Sequence, residues 1–253
     1  MPRYFLELCY DGSRFSGFQV QENANTIQAE VEKAISVLLR SSIDLTGSSR
    51  TDAGVHALQN YFHFNHELPL PEGFVYHVNA ILPPQIAIVS CLQVGNKSHC
   101  RFDASGRWYR YKLNNRKDPF EIKRAWYYPY PLDREKLDAA AAMVISNTDF
   151  TAFAKRHADA KTNICSVFRS EWKQTEHGWE YEVEANRFLR GMVRGLVSTM
   201  LQVGRNKISI EAFHEILRSN DNQKTHFTAP GHGLYLVKVK FPEGYFSSSI
   251  PED

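Results

Sequence analysis

This chain is poor in cysteine and lacks the residue spacings that mark metal sites. Its four cysteines, Cys9, Cys91, Cys100 and Cys165, are scattered through 253 residues and form no Cys-x-x-Cys pair. That argues against a structural zinc site or a disulfide framework, and for a reducing cytoplasm. The ten histidines show no His-Glu-x-x-His or comparable ligand spacing, so metal chemistry has no candidate set. There is no Gly-x-Gly-x-x-Gly, no Walker motif and no Gly-x-Ser-x-Gly, which leaves nucleotide cofactors and a serine nucleophile unexpected. Long apolar runs are also missing. The longest wholly apolar stretch, residues 139–145, is far too short to cross a bilayer. The N-terminus meets Glu7 and Asp11 before any long apolar stretch, which predicts no signal peptide.

What is present is the composition of a globular protein, 43% hydrophobic and 23% charged, with a net charge of only +2. The length suits one large domain or two closely packed halves. The charge is unevenly spread. Residues 101–130 carry eight Lys or Arg against three acids, a net of +5, so the remainder is net −3. Aromatic residues interleave this segment: Trp108, Tyr109, Tyr111, Phe120, Trp126, Tyr127, Tyr128 and Tyr130. Cations meet phosphates and aromatic faces stack on bases, a mixture suited to RNA. The competing reading is a solvated basic strand with a packed aromatic face.

Periodicity predicts strands over residues 4–10, 43–46, 57–64 and 85–94, with helices over 26–40 and 74–81. That β-α-β-β-α-β order is the split βαβ arrangement of ferredoxin-like and RNA-recognition folds. A similar half with more insertion follows. It has a strand over 107–113, a helix around Leu137–Ile145 capped by Asp133, a half-exposed strand over 179–184 and a long helix over 188–203. That long helix should stop at Gly204 in a Schellman-type turn; a helix over 210–217 and a strand over 234–241 complete the half. Residues 118–131 and 157–163 read as loops. The expectation is an α+β protein, with two such halves sharing a central, mostly antiparallel sheet, a cleft between them and helices on one face. The halves divide softly near residue 100, as 1–100 and 101–253.

The most informative segment is residues 47–56, Gly-Ser-Ser-Arg-Thr-Asp-Ala-Gly-Val-His. It sets Arg50 and Asp52 two residues apart between Gly47 and Gly54, which can take backbone angles closed to other residues. This predicts a tight loop anchored on the end or edge of a sheet. A carboxylate held beside a guanidinium can act as a nucleophile or stabilise positive charge; a purely structural Asx turn with a local ion pair is the alternative. A second pattern lies in the long helix. Arg187, Arg190 and Arg194 at i, i+3 and i+7 would share one face of an otherwise apolar helix. Such a stripe needs anionic partners: RNA phosphates, Asp52, or the structural alternatives Glu180, Glu182 and Glu184.

Residues 47–56 resemble the signature of the TruA family of tRNA pseudouridine synthases, Gly-x-Gly-Arg-Thr-Asp-Ala-Gly-Val-His, with Ser49 in place of the second glycine. Four more segments resemble the family's motifs in the same order. They are Tyr10-Asp11-Gly12 with Phe18-Gln19; Arg107-Trp108-Tyr109-Arg110-Tyr111; Asp149-Phe150-Thr151 with Phe153; and Asn186 through Arg194. A further match runs over Ala229-Pro230 and Gly233-Leu234-Tyr235-Leu236, so the resemblance spans residues 4–241. It implies isomerisation of uridine to pseudouridine at positions 38, 39 and 40 of the tRNA anticodon arm, by a homodimer. The reaction is redox-neutral, with no cofactor, metal or ATP. The resemblance makes Asp52 the catalytic carboxylate, Arg194 its orienting partner, and Tyr109 the tyrosine that stacks on the target uracil. Arg50 would be a wedge or phosphate ligand that supports the flipped nucleotide, and Arg187 and Arg190 would serve phosphate binding or folding. The rival readings are a catalytically idle RNA-binding or tRNA-chaperone protein on the same fold and, more remotely, an acid–base hydrolase using Asp52 with His56.

Overall fold

The computed structural model describes residues 1–155 and 162–247; most of the loop expected over 157–163 lies outside them. Its residues divide into two compact units, Met1–Ser105 with Leu236–Asp253, and Gly106–Tyr235. The class is mixed α and β, as expected, with mostly antiparallel strand pairing.

The first unit follows the expected order: β1 (Arg3–Tyr10), α1 (Ile27–Leu39), β2 (Thr46–Gly47), β3 (His56–Asn65), α2 (Phe74–Ile81) and β4 (Ile86–Val94). The strand expected over 43–46 shrinks to the two residues of β2, which pair with β3 at Thr46↔His63 and Gly47↔Phe62. Thr26 caps α1 by accepting from the Ala29 N–H at 3.3 Å, and Arg40 ends it in the left-handed region at φ 52°. Ile27, Val31, Ala34 and Ile35 form the helix's buried stripe, as the sequence spacing requires. β1 lies between β4 and β3, antiparallel to both. The final strand, β9 (Leu234–Lys240), follows β3 in the strand order. Phe241, Tyr245 and Phe246 then gather around Phe5 and Tyr61, with ring centroids 5.3–6.3 Å apart. Burial of those rings explains why the chain's end packs with its beginning.

The second unit contains β5 (Gly106–Asn114), β6 (Trp126–Tyr127), α3 (Arg134–Ser146), β7 (Val167–Thr175), β8 (Gly178–Ala185), α4 (Met192–Gly204) and α5 (Ile210–Arg218). Strands run β5-β8-β7, with β6 parallel to the end of β5. β7 was not anticipated; its apolar and charged residues alternate too irregularly to announce a strand. Asp133 caps α3 as expected, accepting from Lys136 N–H at 3.2 Å. α3 packs on β7 and α4. Tyr109, Tyr111 and Leu113 of β5 and Tyr181 and Val183 of β8 are buried. The alternate residues make a charged lattice: Arg110, Arg169 and Lys173 all pair with Glu182, whose side chain is 3% exposed, and Arg110 lies 3.4 Å from Glu180.

Two expectations about α4 need correction. It begins at Met192, not near residue 188, because Gly191 turns left-handed at φ 75° immediately before it. Asn186 stabilises the non-helical approach, its Oδ1 accepting from Ser166 N–H at 2.9 Å and Arg187 N–H at 2.8 Å. At the other end Gly204 is the last helical residue, and Asn206, at φ 59°, makes the left-handed turn. A Cβ on Gly204 would meet Leu137 Cδ2 at 2.8 Å, so that glycine serves close packing.

Candidate active site

The loop of residues 48–55 is held from three sides, all within the first unit. From β3, Ser48 N–H donates to Tyr61 O at 2.8 Å. The fully buried Asn60 takes Ser49 by both backbone groups: its Oδ1 accepts from Ser49 N–H at 3.3 Å and its Nδ2 donates to Ser49 O at 2.8 Å. From β1, Tyr10 Oη lies 2.8 Å from Thr51 Oγ1 and accepts from Asn60 Nδ2 at 3.3 Å. From residues 11–18, Phe18 N–H donates to Thr51 O at 3.1 Å and Gly54 N–H to Phe15 O at 3.3 Å. These bonds satisfy a turn-rich segment that has no ladder of its own.

The glycines divide by cause. Gly54 has φ 76°, as expected. Gly47 is not left-handed; a Cβ there would meet Phe18 Cε1 at 2.2 Å, and Phe18 stacks on Phe62 with centroids 4.5 Å apart. Gly12 is needed for the same reason, since its Cβ would fall 1.9 Å from Val55 O. Next to that contact, Gly12 N–H donates to His56 Nδ1 at 3.2 Å, and the Asp11 carboxylate lies 3.2 Å from the same nitrogen. His56 is therefore a buried tie between β1 and the loop exit. Ser49, standing where the family signature has glycine, is not among the residues with positive φ, so a side chain there carries no left-handed strain.

On this support Asp52 is half-buried, its backbone oxygen accepting from Val55 N–H at 3.2 Å, and Arg50 is exposed. The loop thus presents one carboxylate and one guanidinium from a backbone fixed before any ligand arrives.

In the second unit Tyr109 is buried on β5, with Phe188 edge-on at 5.0 Å. Arg194 lies in the first turn of α4, and its Nε donates to Ala229 O at 2.7 Å. Arg187 and Arg190 do not join it on a helical face. Both precede the helix, Arg187 half-buried and Arg190 exposed, so the three-arginine stripe is not formed. Of the β8 glutamates, Glu180 and Glu182 are engaged by the cations of β5 and β7. Burial pushes the Tyr111 phenol well above its ordinary range, with the Arg194 guanidinium pulling in the other direction. Its hydroxyl remains a donor, to Pro230 O at 2.8 Å.

The basic-aromatic segment divides between its two readings. Tyr109, Tyr111 and Tyr128 are core residues, whereas Phe120, Tyr127 and Tyr130 are exposed. Arg205 lies over the Tyr130 ring at 3.7 Å from its centroid, a cation–π contact. Among the described residues no group of three or more His, Cys, Asp or Glu could hold a metal ion. The sequence reading passed over Asn60 and Tyr10 Oη as supports of the loop. The available signal was the amide pair Gln59 and Asn60 in the otherwise mostly apolar run of residues 57–64.

A family model described as tRNA pseudouridine synthase matches residues 9–103 and 140–242. Proteins named tRNA pseudouridine synthase A resemble the chain over nearly its whole length. The one from Bacteroides thetaiotaomicron is 41% identical over 251 residues, covering 98% of this chain and 93% of that protein. The one from Parabacteroides distasonis is 39% identical over 248 residues, covering 97% and 98%. A Staphylococcus aureus (strain MRSA252) protein is 36% identical over 254 residues, covering 99% and 96%.

Proposed function

This chain belongs to the tRNA pseudouridine synthase family, and we propose that it isomerises uridines 38, 39 and 40 of the tRNA anticodon arm with the Asp52 carboxylate as its catalytic group. In the reaction the C1′–N1 bond breaks, the uracil turns, and a C5–C1′ bond forms. C5 gives its proton to solvent and N1 takes one up, so the atoms balance without oxidant or metal. Asp52 acts at the ribose C1′/C2′ or on the base; both a glycal and a covalent-adduct route use the same carboxylate. Arg194 orients it, a task for which the planar guanidinium fork is better suited than an ammonium. Tyr109 stacks on the uracil and Arg50 supports the flipped nucleotide, offsetting the few kcal/mol that flipping costs. Arg187 and Arg190 contribute to phosphate binding.

The observation that carries this reading is the support of Asp52. A solvent-reachable carboxylate stands on a loop whose backbone is tied to β1, to β3 and to residues 15–18, the preorganisation that positioned catalysis requires. An idle RNA binder gains nothing from holding a negative charge so firmly toward phosphates. The same reading has a homodimer engaging one tRNA with both subunits in the cytoplasm. The described residues contain no helix long and apolar enough to cross a membrane.

The test is tritium release from C5-labelled uridine in unmodified tRNA. Wild-type protein releases tritium, and Asp52→Asn binds tRNA normally without turnover. Residual turnover above about a thousandth of wild type removes Asp52 from the essential role.

A further inference from the structure

The connection between β5 and β6, residues 115–125, is not used by the chemistry above. Phe120 at its tip is 83% exposed and Ile122 is 59% exposed. Four exposed cations surround them, Arg116, Lys117, Lys123 and Arg124, against Asp118 and Glu121, which are half-buried. A single exposed apolar side chain needs no explanation. A phenylalanine and an isoleucine together at the tip of a cationic turn do, and the turn is rigid. Phe120 N–H donates to Asp118 Oδ1 at 2.9 Å, and Arg124 and Ala125 N–H both donate to Glu121 O, at 2.9 and 3.0 Å. The ends are pinned as well. Asn115 N–H donates to His177 O at 2.9 Å, Tyr128 N–H to Asn114 O at 2.7 Å, and Tyr235 Oη to Arg124 O at 2.7 Å.

We infer that this turn is a second RNA contact, in which Phe120 stacks on an unpaired base of the tRNA while Lys117, Lys123 and Arg124 bind the neighbouring phosphates. Charge complementarity selects the occupant. The tip is cationic around an aromatic face, and RNA supplies phosphates beside bases with open π-faces. A turn fixed in advance loses little conformational entropy on binding. The contact is separate from the reacting nucleotide. Asn114 stands five residues along β5 from Tyr109, about 17 Å at the strand rise, so the base met by Phe120 is not the one stacked on Tyr109. The turn therefore supplies binding energy and register, and the chemical step does not depend on it.

This inference rests on the reading of the chain as a protein that binds tRNA, but not on the role of Asp52 or on catalysis. Binding of fluorescently labelled unmodified tRNA is measured across a range of salt for wild type, Phe120→Ala and the triple variant Lys117→Gln/Lys123→Gln/Arg124→Gln. Phe120→Ala should weaken binding about tenfold with the salt slope unchanged. The triple variant should lower the slope of log K against log salt by about 2, at roughly 0.7 per lost phosphate contact. Both should keep the wild-type kcat for tritium release at saturating tRNA and the wild-type melting temperature. Wild-type affinity in Phe120→Ala, or a wild-type slope in the triple variant, overturns the proposal and leaves the tip for another partner. Phe120-dependent binding by a wild-type protein that releases no tritium removes the catalytic reading and keeps this one.

Discussion

Replacing Gly12 with alanine tests whether the loop bearing Asp52 depends on its contact with the turn after β1. An alanine Cβ at this position would sit 1.9 Å from Val55 O, 2.7 Å from Val55 C and 3.2 Å from Val55 N. Ordinary carbon contacts begin near 3.5 Å, so the two backbones must part by about 1.5 Å. No side chain can rotate to make room, because the obstacle is main chain. Overpacking costs about 1–3 kcal/mol, and a backbone obstacle belongs at the upper end. The φ of Gly12 is not in the left-handed region, so steric displacement is separated from conformational strain. For a domain of 150–250 residues each kcal/mol moves the melting temperature by about 2–4 °C, which gives a fall of roughly 6–12 °C. The displaced Val55 donates its N–H to Asp52 O and precedes His56, so kcat should fall further than the lost stability explains. Circular dichroism melting and tritium release are the two assays. Gly95→Ala is the control, since its added Cβ would come no closer than 3.6 Å to any atom, the Ser98 Oγ. A Gly12→Ala protein that melts within about 2 °C of wild type with unaltered kcat refutes the reasoning.

Two further perturbations probe the first unit. Asn60→Ala removes the amide that holds both backbone groups of Ser49; it should cost about 1–3 kcal/mol and lower kcat with little change in KM, whereas equal effects on both would make Asn60 merely structural. Burial, followed by the charges of His99 and Arg3, lowers the His63 pKa to about 4, with Asp103 acting in opposition. The folded state then binds fewer protons than the unfolded chain between about pH 6.5 and pH 4, so its contribution to stability is present above that window and is lost as pH falls through it. His63→Gln should flatten that part of the profile in pH-dependent melting, and parallel curves for variant and wild type would exclude His63 as the source.

The first unit was legible because its patterns are local. The apolar stripe of α1, the alternation of β1 and the strand-type residues of β3 each report on neighbours a few residues away. The loop's character was legible from composition; its supports were not. Asn60 meets Ser49 across 11 residues and Tyr10 across 50, and no periodicity encodes such a meeting. β7 was missed because its outward residues answer to β8. Arg169 and Lys173 are placed by Glu182, and that partner is visible only once the strands are paired.

Glycine was the residue read least well, and the cause is physical. A chain uses glycine either because φ must be positive or because a Cβ would collide, and both needs leave the same letter. Gly47 and Gly204 suggested unusual backbone angles, yet both make room, for Phe18 and for Leu137. Within the stretch expected to be one long helix, a Cβ on Gly195 would lie 2.9 Å from Phe227 Cε1, whereas Gly191 supplies φ 75° directly before the helix begins. That one misassignment changes the chemistry assigned to three arginines. With the helix beginning at Met192, Arg194 keeps a fixed direction from the first turn, while Arg187 and Arg190 belong to a loop held by Asn186 and Lys155. The orienting role proposed for Arg194 and the phosphate-binding role proposed for the other two therefore rest on different backbones, and substitutions at the three positions should not behave as a set.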